Sequence, residues 1–377
     1  MKRVLVTGAD GFIGTHLTRR LLDEGYQVFG FVLDRNFGDN DGRMELLEGD
    51  LTDEKRVKEI VKEADPDAVI HLAAVSSVGY SFRDPQTTFS VNVRGTENLL
   101  ENLEGQRFLF AGSSEEYGEP ARSREHFDDL AKKYNVTGEP LRYPELPSME
   151  GDPLRPISPY AESKVLAERA VLDCKGVEPV CVRSYNVEGP GRGRNFVTSK
   201  IARAVGSMVK NGEVTLDVGN IFNFRDWSHV IDVVEYYTVL LEKGAPFEVY
   251  NLGSGESRSI LSFVLGCFDE LGVHIDRIEG ALDVEGPMER SNRELFGRRY
   301  HHYAVDDLLS DPELDVDGFR DERLVLAGDR DYTVNINGQY FRDRDIRFQA
   351  GEVLKLRSLV QRRTDFSCII KDIIGTI

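Results

Sequence analysis

The sequence predicts an α/β protein: a doubly wound parallel sheet, a smaller C-terminal lobe and an unusual β-rich tail. Three observations carry this expectation. Short apolar runs alternate with helical stretches, a glycine turn separates the first run from the first helix, and the alternation weakens after Asn186. In "RVLVTGADGFIGTHLTRRLLDEGYQVFGFV" the run Val4–Val6 stops at Gly8, as expected of a strand buried on both faces. Ile13, Leu17, Leu21 and Leu22 then recur at helical spacing. Further buried strands are predicted at Ala68–Leu72, Phe108–Ala111 and around Val180–Arg183.

Beyond Asn186, "GRGRNFVTSKIARAV" reads as a loop entering a helix, and "EVYNLGSGESRSILSFVLGCFDELG" as strand, glycine turn and helix. Residues 1–185, rejoined by 221–252, are read as the first domain. Residues 186–220 and 253–312 form the lobe, and 313–377 form an extra segment of unassigned role. In that segment "DYTVNINGQYFRDRD" alternates about Asn337-Gly338, which predicts a hairpin turning there. Between Gly118 and Leu154, "SREHFDDLAKKY" predicts a short helix with Ser123 as its N-cap.

Composition narrows the class. Hydrophobic residues make up 40% and charged residues 30% of the 377, ordinary for a soluble enzyme. No window approaches the roughly eighteen apolar residues of a membrane span, and "MKRVLVTG" reads as a strand rather than a signal peptide. Cys174, Cys181, Cys267 and Cys368 show no disulfide-like or metal-ligand spacing, so a reducing, cytoplasmic setting is expected. The net charge of −18 disfavours nucleic acid and anionic membranes as partners. An anionic ligand needs local cations.

Gly8, Gly11 and Gly14 in "TGADGFIG" follow a strand and open a helix, where a pyrophosphate can rest on the helix N-terminus of a Rossmann fold. A ligand-free strand–helix turn has the same appearance. Phe12 and Ile13 belong to this turn. Asp50 and Leu51 in "GDLTD" are candidates for the adenine side, and Leu72, Ala73 and Ala74 in "HLAA" for the next strand's contribution. Asp34 favours NAD and Arg35 favours NADP; the choice stays open, leaning to NAD.

"SPYAESKVLAERAV" puts Tyr160 and Lys164 four apart on one helix face. A phenol of pKa about 10 is a poor base at neutral pH. A neighbouring ammonium and an oxidised nicotinamide both favour the phenolate. Taken together, "TGADGFIG", "HLAA", "GSSEEYG" and "SPYAESK" resemble, in order and spacing, the extended short-chain dehydrogenases/reductases acting on nucleotide sugars. Within them, "GRGRNFVTSKIARAV" and "FRDWSHVIDVVE" resemble the GDP-mannose 4,6-dehydratases, while "GSSEEYG" equally resembles the GDP-4-keto-6-deoxy-mannose reductases. The resemblance spans roughly residues 1–290.

The resemblance implies Ser113 as catalytic hydroxyl beside Tyr160 and Lys164. Ser76 and Arg192 join the cofactor contacts, and the lobe binds a nucleotide-diphosphate sugar through Ser114, Asn186, Asn195, Lys200 and Arg225. The implied cofactor is NAD or NADP, tightly bound, in a homodimer or homotetramer. Glu115 matches the dehydratases' glutamate, placed to remove the C5 proton and assist loss of the C6 hydroxyl; its alternative is to brace the loop. Val187 replaces the histidine usual in the GDP-mannose dehydratases. The expected function is a nucleotide-sugar 4,6-dehydratase with a GDP-mannose-like substrate. The 4-keto reductase is the alternative, followed by a C4 epimerase and a non-catalytic dinucleotide-binding module. For Glu116 the expected role is solvation or loop hydrogen bonding, and His301-His302 is discounted as a metal pair.

Overall fold

The computed structural model describes all residues except 1, 35–41, 136–138, 140–141, 213–214 and 343. The first six strands are β1 (Arg3–Thr7), β2 (Gln27–Val32), β3 (Glu45–Glu48), β4 (Ala68–His71), β5 (Gln106–Ser113) and β6 (Val177–Ser184). There follow β7 (Asn186–Glu188), β8 (Thr215–Val218), β9 (Phe224–His229), β10 (Glu248–Leu252), β11 (Ser257–Ser259), β12 (Ile275–Gly280) and β13 (Val284–Glu285).

The main sheet runs β10-β6-β5-β4-β1-β2-β3, with every neighbouring pair parallel. Winding goes outward from β1 to β3, then restarts at β4 on the other side of β1. The carboxyl ends of β1 and β4 therefore flank the crevice where the direction reverses, the usual ligand position in such sheets. Each face of the sheet has its own core. Val4, Val6, Ile70, Leu109 and Val182 pack with Leu17, Leu21, Val233 and Tyr237 on one side. Leu5, Val69, Phe108 and Phe110 pack with Val57, Ile60, Leu99 and Val171 on the other. Burial on both faces explains why these strands read as unbroken apolar runs.

The lobe is built differently. β9 lies between β7 and β11 in a three-stranded sheet. A five-stranded sheet joins β13, β12, Arg323–Gly328, Asp331–Ile336 and β8, in that order. Two tail strands thus sit in the middle of the lobe's sheet. Leu324, Leu326, Tyr332 and Val334 share one core with Phe222, Phe263 and Phe268. No described helix is long and apolar enough to cross a membrane.

One local expectation fails in the tail. The hairpin turns at Asp329-Arg330, between Arg323–Gly328 and Asp331–Ile336, and not at Asn337-Gly338. A tight Asn-Gly hairpin turn requires left-handed backbone. Asn337 has φ −87°, and Gly338 is not among the residues of positive φ. Asn337 instead accepts the Gln339 N–H at 3.0 Å and caps a short 3₁₀ turn, while Gly338 N–H donates to Asp321 at 2.7 Å. The expected helix after Gly118 does form at Arg124–Tyr134, with Ser123 Oγ accepting the His126 N–H at 3.0 Å.

The tail's place in the core gives a direct test. Phe348 is fully buried, stacked on Phe224 with centroids 5.4 Å apart and edge-on to Phe296. Phe348→Ala is expected to cost about 3–5 kcal/mol in urea denaturation; a loss below about 1 kcal/mol would show that the tail is not part of the core.

Candidate active site

The site is organised by the turn that ends β5. Ser113 leaves the strand, and Ser114–Tyr117 form one 3₁₀ turn. Ser113 Oγ accepts the Glu115 N–H at 3.2 Å, and the Glu116 carboxylate returns to accept the Ser113 N–H at 2.6 Å. Glu116 therefore holds the loop and is not solvated; it is fully buried. A side chain at Gly112 would meet Glu116 Oε1 at 2.6 Å, so only glycine fits there. Beneath Glu116 lies Arg183 of β6, 3.8 Å away, forked onto Glu168 at 3.1 and 2.6 Å and donating to the Tyr117 hydroxyl at 3.0 Å. Burial, with Glu168 nearby, pushes the Glu116 carboxyl well above the usual carboxylate range.

Tyr160 and Lys164 stand on the helix Pro159–Asp173, started by Ser158, whose Oγ accepts the Ala161 N–H at 3.1 Å. Both side chains are buried. The Ser113 hydroxyl is close enough to favour the Tyr160 anion, but burial dominates and, with Glu115 and Glu116, pushes the phenol up. In the protein alone, desolvation outweighs that hydrogen bond. Lys164 is itself pushed down to about 8 by burial; its ammonium donates to the Ala111 carbonyl at 2.8 Å and faces the Phe110 ring.

Glu115, partly exposed, points toward the tail. Gln349 Nε2 donates to its Oε1 at 3.0 Å, and Gln349 Oε1 accepts from Asn186 Nδ2 at 2.9 Å. Burial raises the Glu115 carboxyl above its ordinary value, against the pull of Arg342 and Arg225. Arg225 is occupied: Nη1 donates to the Phe224 and Ile346 carbonyls at 2.8 and 2.7 Å, and Nη2 meets Asp345 at 3.0 Å. Its acidic partner comes from the tail. Ser114 is buried beside Ser113, whereas Asn195 and Lys200 are exposed, with Lys200 Nζ 5.9 Å from the Tyr340 ring. Gln349, Arg342 and Asp345 escape the sequence reading because nothing local marks them; they arrive by the tail's return.

The glycine turn fits a dinucleotide. Gly8 has φ +66°, and a Cβ there would lie 2.9 Å from the Ala73 backbone. A Cβ at Gly14 would lie 2.1 Å from the Gly8 carbonyl. These two glycines close the turn onto the end of β4, while Gly11, whose Cβ would meet only that carbonyl at 3.1 Å, leaves the helix N-terminus bare. Phe12 and Ile13, half-buried, open this helix, and the Arg192 guanidinium lies over Phe196 and Phe12 at 3.5 and 5.0 Å. Leu72, Ala73 and Ala74 are half-buried at the end of β4, where Ala73 N–H donates to Thr7 Oγ1 at 3.1 Å; Ser76 is exposed. Asp50 Oδ1 accepts twice from Thr52, at 2.8 Å each, and Leu51 is buried. Asp34 is exposed just past β2, and Arg35 lies outside the described residues.

The NAD dependent epimerase/dehydratase family matches residues 4–253. The chain belongs to that family. It is 28% identical to a GDP-mannose 4,6-dehydratase of Yersinia enterocolitica, over 95% of this chain and 88% of that protein. With a GDP-mannose 4,6-dehydratase of Vibrio cholerae it shares 30% identity over 76% of each chain. Among solved structures it is similar to the Thermus thermophilus UDP-glucose 4-epimerase in complex with NAD, with a TM-score of 0.66, 23% identity and coverage of 99% and 98% of the two chains. The resemblance therefore does not stop near residue 290. The tail belongs to the shared fold, as its strands in the lobe's sheet require.

The fit of the glycine turn is testable. Gly11→Ala is expected to leave thermal unfolding within a few degrees of the parent and to weaken dinucleotide binding at least tenfold by calorimetry. Unchanged affinity would place the phosphates elsewhere.

Proposed function

We propose that the protein is a nucleotide-sugar 4,6-dehydratase with a GDP-mannose-like substrate and NAD as bound cofactor. The observation that carries this reading is the shared turn. Ser113 and Glu115 sit two residues apart on it, one beside Tyr160 and the other a half-buried carboxyl with a raised pKa. A bound nicotinamide dinucleotide supplies the hydride acceptor for C4 and the donor for C6. The bare helix N-terminus at Gly11 and the flanking Arg192 support its pyrophosphate, and Asp34 supports a ribose diol rather than a phosphate.

The chain's own residues do the proton work. Ser113 hydrogen-bonds the C4 oxygen and stabilises charge as the ketone forms. Tyr160 takes the C4 hydroxyl proton, assisted by the Lys164 ammonium. With C4 a ketone, the C5 proton becomes acidic. Glu115 removes it and passes a proton to the departing C6 oxygen, so water leaves and a C5–C6 double bond forms. C5 then recovers a proton, balancing the one Tyr160 accepted. A raised carboxyl pKa suits this exchange, because the group must both take and give a proton near neutrality. A 4-keto reductase would use Ser113, Tyr160 and Lys164 but leave Glu115 without a chemical task. The relatives above, named as GDP-mannose 4,6-dehydratases, support the dehydratase over that alternative.

Purified protein incubated with GDP-mannose, and separately with UDP- and dTDP-sugars, without added nicotinamide, is expected to release one water per sugar and form a 4-keto-6-deoxy product by mass spectrometry. Strict dependence on stoichiometric NADPH and a 4-keto substrate would instead establish the reductase. Tyr160→Phe is expected to abolish turnover while dinucleotide binding, read by calorimetry, stays largely intact. A variant that kept a substantial fraction of the parent rate would remove Tyr160 as the base.

A further inference from the structure

The tail reaches Glu115 through one side chain. Gln349 is buried, and its amide bridges two residues distant in sequence, donating to Glu115 and accepting from Asn186. The direction of this relay is set at its far end. Asn186 Nδ2 also faces the Asp226 backbone carbonyl at 3.4 Å, which can only accept. Asn186 thus presents its amino group, Gln349 turns its carbonyl to Asn186, and the Gln349 amino group faces Glu115. An amide N–H matches an ionised carboxylate, which only accepts.

Gln349 is held from several sides. Its backbone N–H donates to the Phe224 carbonyl at 3.2 Å, and its carbonyl accepts from Ser257 Oγ at 2.6 Å. Two residues earlier, the Arg347 carbonyl accepts the Phe224 N–H at 2.7 Å; one residue later, the Ala350 carbonyl accepts the Ser148 N–H at 2.7 Å. The tail is therefore stitched to β9, β11 and the segment before the catalytic helix at the point where this side chain enters the site.

We infer that Gln349 is a positioning residue for Glu115, holding its carboxylate in the proton-accepting form and in a single orientation. The inference rests on the elimination role proposed for Glu115. Other groups also face that carboxyl: Tyr160 from the catalytic helix, Arg225 from β9, and Arg342 and Asp345 from the tail. The arginines favour the anion, while Asp345 and burial oppose it. Gln349 differs from these in making a direct hydrogen bond while carrying no charge, so replacing it with an uncharged side chain can change the proton affinity of Glu115 without adding or removing charge.

The test compares Gln349→Met, which keeps length but cannot donate, with Gln349→Glu, which keeps shape and the acceptor for Asn186. In single turnovers with the nucleotide sugar the parent converts, Gln349→Met is expected to slow water loss about tenfold at neutral pH, the worth of one hydrogen bond to a carboxylate, and to leave C4 oxidation unchanged. Because elimination needs the anion, its rate falls as pH drops through the Glu115 value. That acid limb is expected to move up by about one pH unit in Gln349→Met, and further in Gln349→Glu, where a second carboxylate faces the first. Equal slowing of both steps with an unmoved acid limb would reduce Gln349 to packing. Should Gln349→Met fail to fold, Gln349→Glu bears the same test. A substrate-free carbon-13 titration of the Glu115 carboxyl, assigned with Glu115→Gln, separates the two claims. A parent without 4-keto-6-deoxy product overturns the dehydratase reading, whereas a Glu115 titration identical in parent and Gln349→Met overturns the role of Gln349.

Discussion

Glu116 lies fully buried under the end of β5, and its carboxyl accepts the Ser113 N–H at 2.6 Å while Arg183 and Glu168 sit beneath it. This contact turns the chain sharply as it leaves the sheet. Without the turn, Ser113 and Glu115 would share one face of an extended strand, about 7 Å apart along its axis. With it, one residue meets Tyr160 and the other meets the tail. Placing two glutamates and one arginine together underground is costly unless their hydrogen bonds are satisfied. The fork of Arg183 onto Glu168 and the reciprocal cap at Ser113 supply most of those bonds.

The same burial sets the electrostatics of Tyr160, Lys164 and Glu115. Desolvation pushes Tyr160 and Glu115 up and Lys164 down to about 8, each away from its value in water. The chain carries a net charge of −18, yet cationic side chains gather around this site. Its cations are placed locally, with Arg192 at the glycine turn and Arg225 and Arg342 near Glu115.

Much of this was legible where sequence and space coincide. The run at Val4–Val6, the glycines at 8, 11 and 14, and the Tyr160–Lys164 pair each lie within one strand–turn–helix unit, so short-range periodicity exposes them. The Ser113–Glu116 turn was visible as a polar cluster, but its burial was not, because Arg183 and Glu168 come from other elements. Gln349 is 234 positions from Glu115, and no local pattern signals a meeting at that range. Asn337-Gly338 failed for a related reason: the dipeptide permits a hairpin, but Asp321 and Val218 capture its backbone in another conformation.

The central claim is that Glu115 performs the elimination and does not merely brace its loop. Rapid mixing of Glu115→Gln with the nucleotide sugar, followed by nicotinamide absorbance and by product mass, tests it most directly. The expected result is normal C4 oxidation, slowing of water loss by roughly 10²–10⁴, the usual worth of a placed acid–base group, and build-up of reduced cofactor on the enzyme. Near-normal water loss with no such build-up would contradict the claim and return Glu115 to a structural role.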